Sequence, residues 1–142
     1  MKWTTNRWIL SDGEEIATPS DLDYVITGIP RSGTSLMSTI LSSSENSFCF
    51  NEVHYQIPLL PSFFSEMRKR IENGLPVINK INEKGKLTTD TQRQEGIKFS
   101  EMNVIGKNNP IRLGSKVNVP YLNKIQQIED FDYKIVAMIR NP

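Results

Sequence analysis

The chain has 142 residues, 37% of them hydrophobic and 23% charged, the balance of one globular domain and not of a disordered segment. Lys plus Arg number 17 against 16 Asp plus Glu, a formal charge of +1 that is too even for a general nucleic-acid binder, so a basic residue that matters acts locally. The single Cys49 cannot close an internal disulfide, and no run approaches the roughly 18 apolar residues of a membrane span; both suit a soluble chain in a reducing, cytoplasmic setting.

In chain order, residues 1–21 read as an irregular lead-in, with turn signals at Ser11-Asp12-Gly13 and Pro19-Ser20, and residues 22–142 as the core portion. The β-branched, apolar run Tyr24 to Ile29 predicts a first strand. A turn from Pro30 to Gly33 leads into a helix starting near Thr34. Its periodicity puts Leu36, Met37, Ile40 and Leu41 on one apolar stripe, opposite Ser35, Ser38, Thr39 and Ser42. Phe48 to Phe50 is a short second strand. From His54 to about Lys107 the pattern is mostly helical and polar, divided at Pro61, Gly74-Leu75-Pro76 and Lys84-Gly85-Lys86. Ile111 to Ser115 is a further strand candidate. Pro120 suits the first turn of a helix through Ile128, with Leu122, Ile125 and Ile128 towards a core. Tyr133 to Ile139 is the last strand. Strands alternating with helices predict an α/β fold with a mainly parallel sheet. Because a buried parallel strand needs neighbours and covering helices, the domain is expected to continue beyond Pro142.

The segment Gly28-Ile29-Pro30-Arg31-Ser32-Gly33-Thr34-Ser35 follows a strand and opens a helix. In that context the free backbone N–H groups and the positive end of the helix dipole make an anion cradle. Gly33 allows a backbone geometry that a side chain would block. Ser32, Thr34 and Ser35 add hydroxyl donors, and Arg31 a charged fork suited to phosphate. Against the triphosphatase pattern G-x-x-x-x-G-K-[ST], the glycines and Ser35 fit, but Thr34 stands where the lysine belongs. That argues against nucleoside-triphosphate chemistry and makes a small-molecule kinase the less favoured reading.

The run Gly28 to Met37 resembles the 5′-phosphosulfate loop of PAPS-dependent sulfotransferases, above all the Golgi, bacterial and tyrosylprotein branches, whose loop reads P-R-S-G-T-[ST]-L. The resemblance implies a P-loop-type three-layer fold and sulfuryl transfer from PAPS, without a metal, to a hydroxyl or amine of a carbohydrate, small molecule or peptide. It implies Arg31, Ser32, Gly33, Thr34 and Ser35 as PAPS contacts. It also implies Glu52, beyond the loop's helix, as the base that takes the acceptor's proton. The family usually has a second acidic residue just before that base; here Asn51 stands there, which leaves the acceptor class open. His54, the only histidine, is the rival base, as in the cytosolic branch. Lys116 resembles the lysine that neutralises charge on the leaving phosphate. Arg140, in Arg140-Asn141-Pro142, resembles the first arginine of the 3′-phosphate site. Arg31, Lys116 and Arg140 each follow a candidate strand, at the end where open α/β sheets gather ligands. A nucleotide-binding chain without turnover is the alternative.

Overall fold

The computed structural model describes residues 1–4, 7–87 and 96–140. At its centre is a four-stranded, all-parallel sheet of β3 (Tyr24–Gly28), β4 (Ser47–Asn51), β7 (Arg112–Lys116) and β8 (Lys134–Met138), in the order β4-β7-β3-β8. β3 and β4 are buried at every position, as strands covered on both faces must be. Alternate side chains go to opposite layers. Tyr24, Ile26 and Cys49 meet Met37 and Leu41 of α1 (Thr34–Ser43). Val25, Phe48, Phe50 and Leu113 face the larger core. That core is completed by Phe63, Phe64 and Met67 of α2 (Leu60–Glu72), Tyr121 of α3 (Val119–Leu122) and Ile128 of α4 (Ile125–Glu129). The expected α/β class with a parallel sheet is therefore present, with helices on both faces.

Specific contacts fix the layers. A Cβ on Gly114 would fall 2.2 Å from the Tyr24 ring, so only glycine lets that ring lie across β7 while its hydroxyl meets Ser47 Oγ at 2.8 Å. Asp23, just before β3, pairs with Arg68 of α2 and accepts the Leu113 N–H at 3.2 Å, tying α2 to two strands.

Four expectations need correction. The lead-in is irregular only from residue 10 to 21: before it, β1 (Lys2–Thr4) and β2 (Arg7–Ile9) pair antiparallel, closed by an edge-to-face contact of Trp3 and Trp8 at 5.7 Å. The middle region is not mostly helical. After α2 it forms an antiparallel hairpin of β5 (Val77–Ile81) and β6 (Lys98–Met102), because Val77, Asn79 and Ile81 alternate inward with period two; residues 88–95 lie outside the described residues. The helix from Pro120 is two short helices, and Tyr121 and Ile128 are its buried members, not Leu122 and Ile125.

The fourth concerns α1, where Leu36 and Ile40 are 48% and 51% exposed while Thr34, Ser38 and Ser42 are buried. Small residues let the helix lie close on the sheet, and the hydroxyls find local partners. Ser38 Oγ donates to Ser35 O at 2.8 Å, and Ser42 Oγ accepts the Cys49 N–H at 2.8 Å.

Candidate functional site

The carboxyl ends of the four parallel strands converge. Register places Ile26 beside Lys116, Asn51 beside Lys116, and Gly28 beside Met138. The loop 28–33, Glu52, Lys116 and Arg140 therefore leave the sheet on one side.

The loop is held by close approach. A Cβ at Gly28 would lie 2.5 Å from the Met138 carbonyl oxygen and 2.9 Å from Ser32 Oγ, so only glycine fits. The Ser32 N–H donates to Ile29 O at 3.2 Å, closing the turn. Arg31 adopts the left-handed region with φ 70°, and Gly33, at φ 91°, is the N-cap of α1. With no side-chain cap on that helix, its first N–H groups face the loop. Ser32 Oγ is buried and has no hydrogen-bond partner among the described residues. The Thr34 hydroxyl is turned away: it donates to Asn118 Oδ1 at 2.8 Å, leaving the backbone N–H of Thr34 as its contribution to the loop. Asn118 also accepts the Thr27 hydroxyl on its carbonyl at 2.9 Å, which locks the start of α1 to the segment after β7. Asn118 carries no motif in the sequence.

Ser35, Lys116 and Glu52 form a chain. The Lys116 side chain, 1% exposed, donates from Nζ to Ser35 Oγ at 3.3 Å and to Glu52 Oε1 at 3.1 Å. Lys80, from β5, holds the other carboxylate oxygen, with Nζ 2.5 Å from Glu52 Oε2. Glu52 is itself in the left-handed region at φ 58°. Arg31 and Glu52 are two of the three non-glycine residues with positive φ among the described residues, and such strain gathers where function demands it.

Electrostatics follow from this packing. Burial pushes the Glu52 carboxyl up, but Lys116 and Lys80 outweigh it and hold Glu52 below the usual carboxylate range. Burial pushes the Lys116 ammonium down, and Glu52 only partly restores it, so this lysine's proton is loosened.

His54 is elsewhere. It is fully buried, stacks on Phe63 at 4.8 Å and 3°, and has Nε2 2.8 Å from Gln56 O. Desolvation pushes its imidazole down to about 4. It is a core residue and does not reach the Lys116 cluster. Arg140 follows β8 by two residues and is exposed; Asn141 and Pro142 of its motif lie outside the described residues.

Of the residues singled out from sequence, the structure joins Ser35, Lys116 and Glu52 directly, sets Arg31, Ser32 and Gly33 beside them in the loop, and keeps Arg140 at the same sheet end. Lys80 was missed. The alternation of Val77 to Ile81 would have revealed its strand, but nothing local pairs it with Glu52. A cavity of about 420 Å³ lies at the other end of the sheet, between Leu22, Asn46, Pro110 and Arg112, and no candidate site residue lines it. Among the described residues no three His, Cys, Asp or Glu side chains gather as a metal site, and no helix is long and apolar enough to cross a membrane. Comparison with protein-family models, with curated proteins and with solved structures finds no match to this chain.

Proposed function

We propose that the chain carries the donor half of a P-loop-type sulfotransferase site, moving a sulfuryl group from PAPS to a hydroxyl or amine acceptor. The observation that supports this best is the buried Lys116 ammonium, which bridges the phosphate-type loop at Ser35 and a carboxylate at Glu52. A cation between an anion cradle and a base is what an in-line transfer onto a hydroxyl uses.

In this reading the loop N–H groups and the unpartnered Ser32 hydroxyl hold the 5′-phosphosulfate, and Arg31 adds charge. The acceptor oxygen forms a bond to sulfur as the bond from sulfur to the bridging oxygen breaks. Glu52 takes the acceptor proton. Lys116 neutralises the charge that collects on the departing phosphate, leaving adenosine 3′,5′-bisphosphate and the sulfated acceptor. Arg140 stands at the same sheet end for the 3′-phosphate.

Calorimetric titration without magnesium tests the donor. Binding of PAPS and adenosine 3′,5′-bisphosphate well ahead of ATP supports the reading; equal or stronger ATP binding that needs magnesium sinks it. Tight PAPS binding with no transfer to any phenol, alcohol or amine would instead indicate a binding protein.

A further inference from the structure

β4 is an outer strand of the parallel sheet, yet its free edge is occupied at one point by a side chain. Asn79, fully buried on β5, accepts the Asn51 N–H on Oδ1 at 2.8 Å and donates from Nδ2 to Cys49 O at 3.1 Å. It mimics the peptide group of a neighbouring strand and staples the β5–β6 hairpin to β4. The same Oδ1 accepts the N–H of Lys80 at 2.9 Å, which fixes the backbone from which the lysine reaches out. Across the hairpin Lys80 is in register with Phe99, and its ammonium lies 5.5 Å from that ring's centroid. Phe99 in turn packs against Trp3 at 5.5 Å. The lysine is therefore placed by its backbone bond to Asn79 and by the Phe99 ring before it meets Glu52.

We propose that Lys80 is a positioning residue: the hairpin delivers it to Glu52 Oε2 to set the orientation and the titration of that carboxylate. The charged and titratable groups facing Glu52 are Lys116 from β7, Lys80 from β5 and, from the segment after β4, Tyr55, whose phenol burial and the Glu52 charge push up. With Lys116 on Oε1 and Lys80 on Oε2 the carboxylate plane is fixed at both ends, and each oxygen keeps a second lone pair for an acceptor proton. The functional consequence rests on Glu52 being the proton acceptor; the positioning itself does not.

The test separates the two. Carbon-13 NMR of labelled glutamate side chains follows the Glu52 titration in the wild-type chain, in Lys80→Met and in Lys80→Arg. Lys80→Met should move the midpoint to higher pH, and Lys80→Arg, which keeps the charge, should restore it. Lys80→Gln serves if the Met variant does not fold. An unmoved midpoint overturns the proposal whatever the activity. For transfer from PAPS to a simple phenol, the acid limb of the turnover profile should move upward in step with the NMR midpoint, with the KM for PAPS unchanged. A shifted Glu52 midpoint in a chain that transfers nothing would uphold the positioning and overturn the sulfotransferase reading.

Discussion

Glu52 and Lys116 are tied to each other twice: the Glu52 N–H donates to the Lys116 carbonyl at 2.8 Å, and the Lys116 ammonium donates to Glu52 Oε1 at 3.1 Å. The backbone bond holds Glu52 at the end of β4 in its left-handed conformation, so its side chain folds back over β7. The backbone bond fixes the two residues as neighbours at the strand ends, so the side-chain ion pair only has to span paired strands.

In the proposed transfer this pair takes the acceptor proton and neutralises the leaving phosphate. Glu52→Gln keeps the side chain's size and removes its basicity, so turnover should fall about 10²–10⁴-fold with PAPS affinity little changed. His54→Ala should act on stability. Removing a ring stacked on Phe63 in the core should cost about 2–5 kcal/mol in urea denaturation, while turnover of the protein that remains folded stays near normal. Near-normal turnover in Glu52→Gln would remove the carboxylate from the mechanism.

The same pair makes stability depend on pH. The folded Glu52 carboxyl lies below its ordinary value of 4.5, held there by Lys116 and Lys80 against the effect of burial. A depressed carboxyl contributes stability that is complete above the unfolded value and lost as pH falls through the folded one. The melting temperature of Glu52→Gln should therefore lie below wild type at neutral pH, and the gap should close on acidification. A gap independent of pH would mean that the charge pair adds nothing.

Gly28 tests the loop's construction. In Gly28→Ala the new Cβ meets the Met138 carbonyl at 2.5 Å and Ser32 Oγ at 2.9 Å, which should push the loop off β8. A loss of about 1–3 kcal/mol is expected by urea denaturation, together with weaker PAPS binding. An unchanged denaturation midpoint would contradict this packing.

The two arginines should separate the two ends of the donor. Arg31→Ala should weaken both PAPS and ligands bearing only the 5′-phosphosulfate, by about 1.5–3 kcal/mol for a lost charge-assisted bond. Arg140→Ala should chiefly reduce the preference for a 3′-phosphate. Calorimetry on the two ligand types decides it: an intact preference in Arg140→Ala removes that residue from the 3′ site.

Local sequence was sufficient for the strand–loop–helix unit from Tyr24 to Ser43, for β4, β7 and β8, and for a mainly parallel sheet, but not for the strand order. Those segments carry their own signals: β-branched runs, glycines at forced geometries, and a helix start rich in donors. Glu52 and Lys116 were singled out through the family resemblance of the loop, and both stand at the ends of parallel strands. Tertiary structure alone decided the rest. Which face of α1 is buried depended on how closely the sheet lets a helix approach: small hydroxyl residues took the inner face beside Met37 and Leu41, and Leu36 and Ile40 were left exposed. His54 became a core residue because Phe63, on a later helix, stacks on it. Lys80 joined the site across 28 positions because Asn79 could complete the edge of β4, a long-range contact that no local pattern encodes.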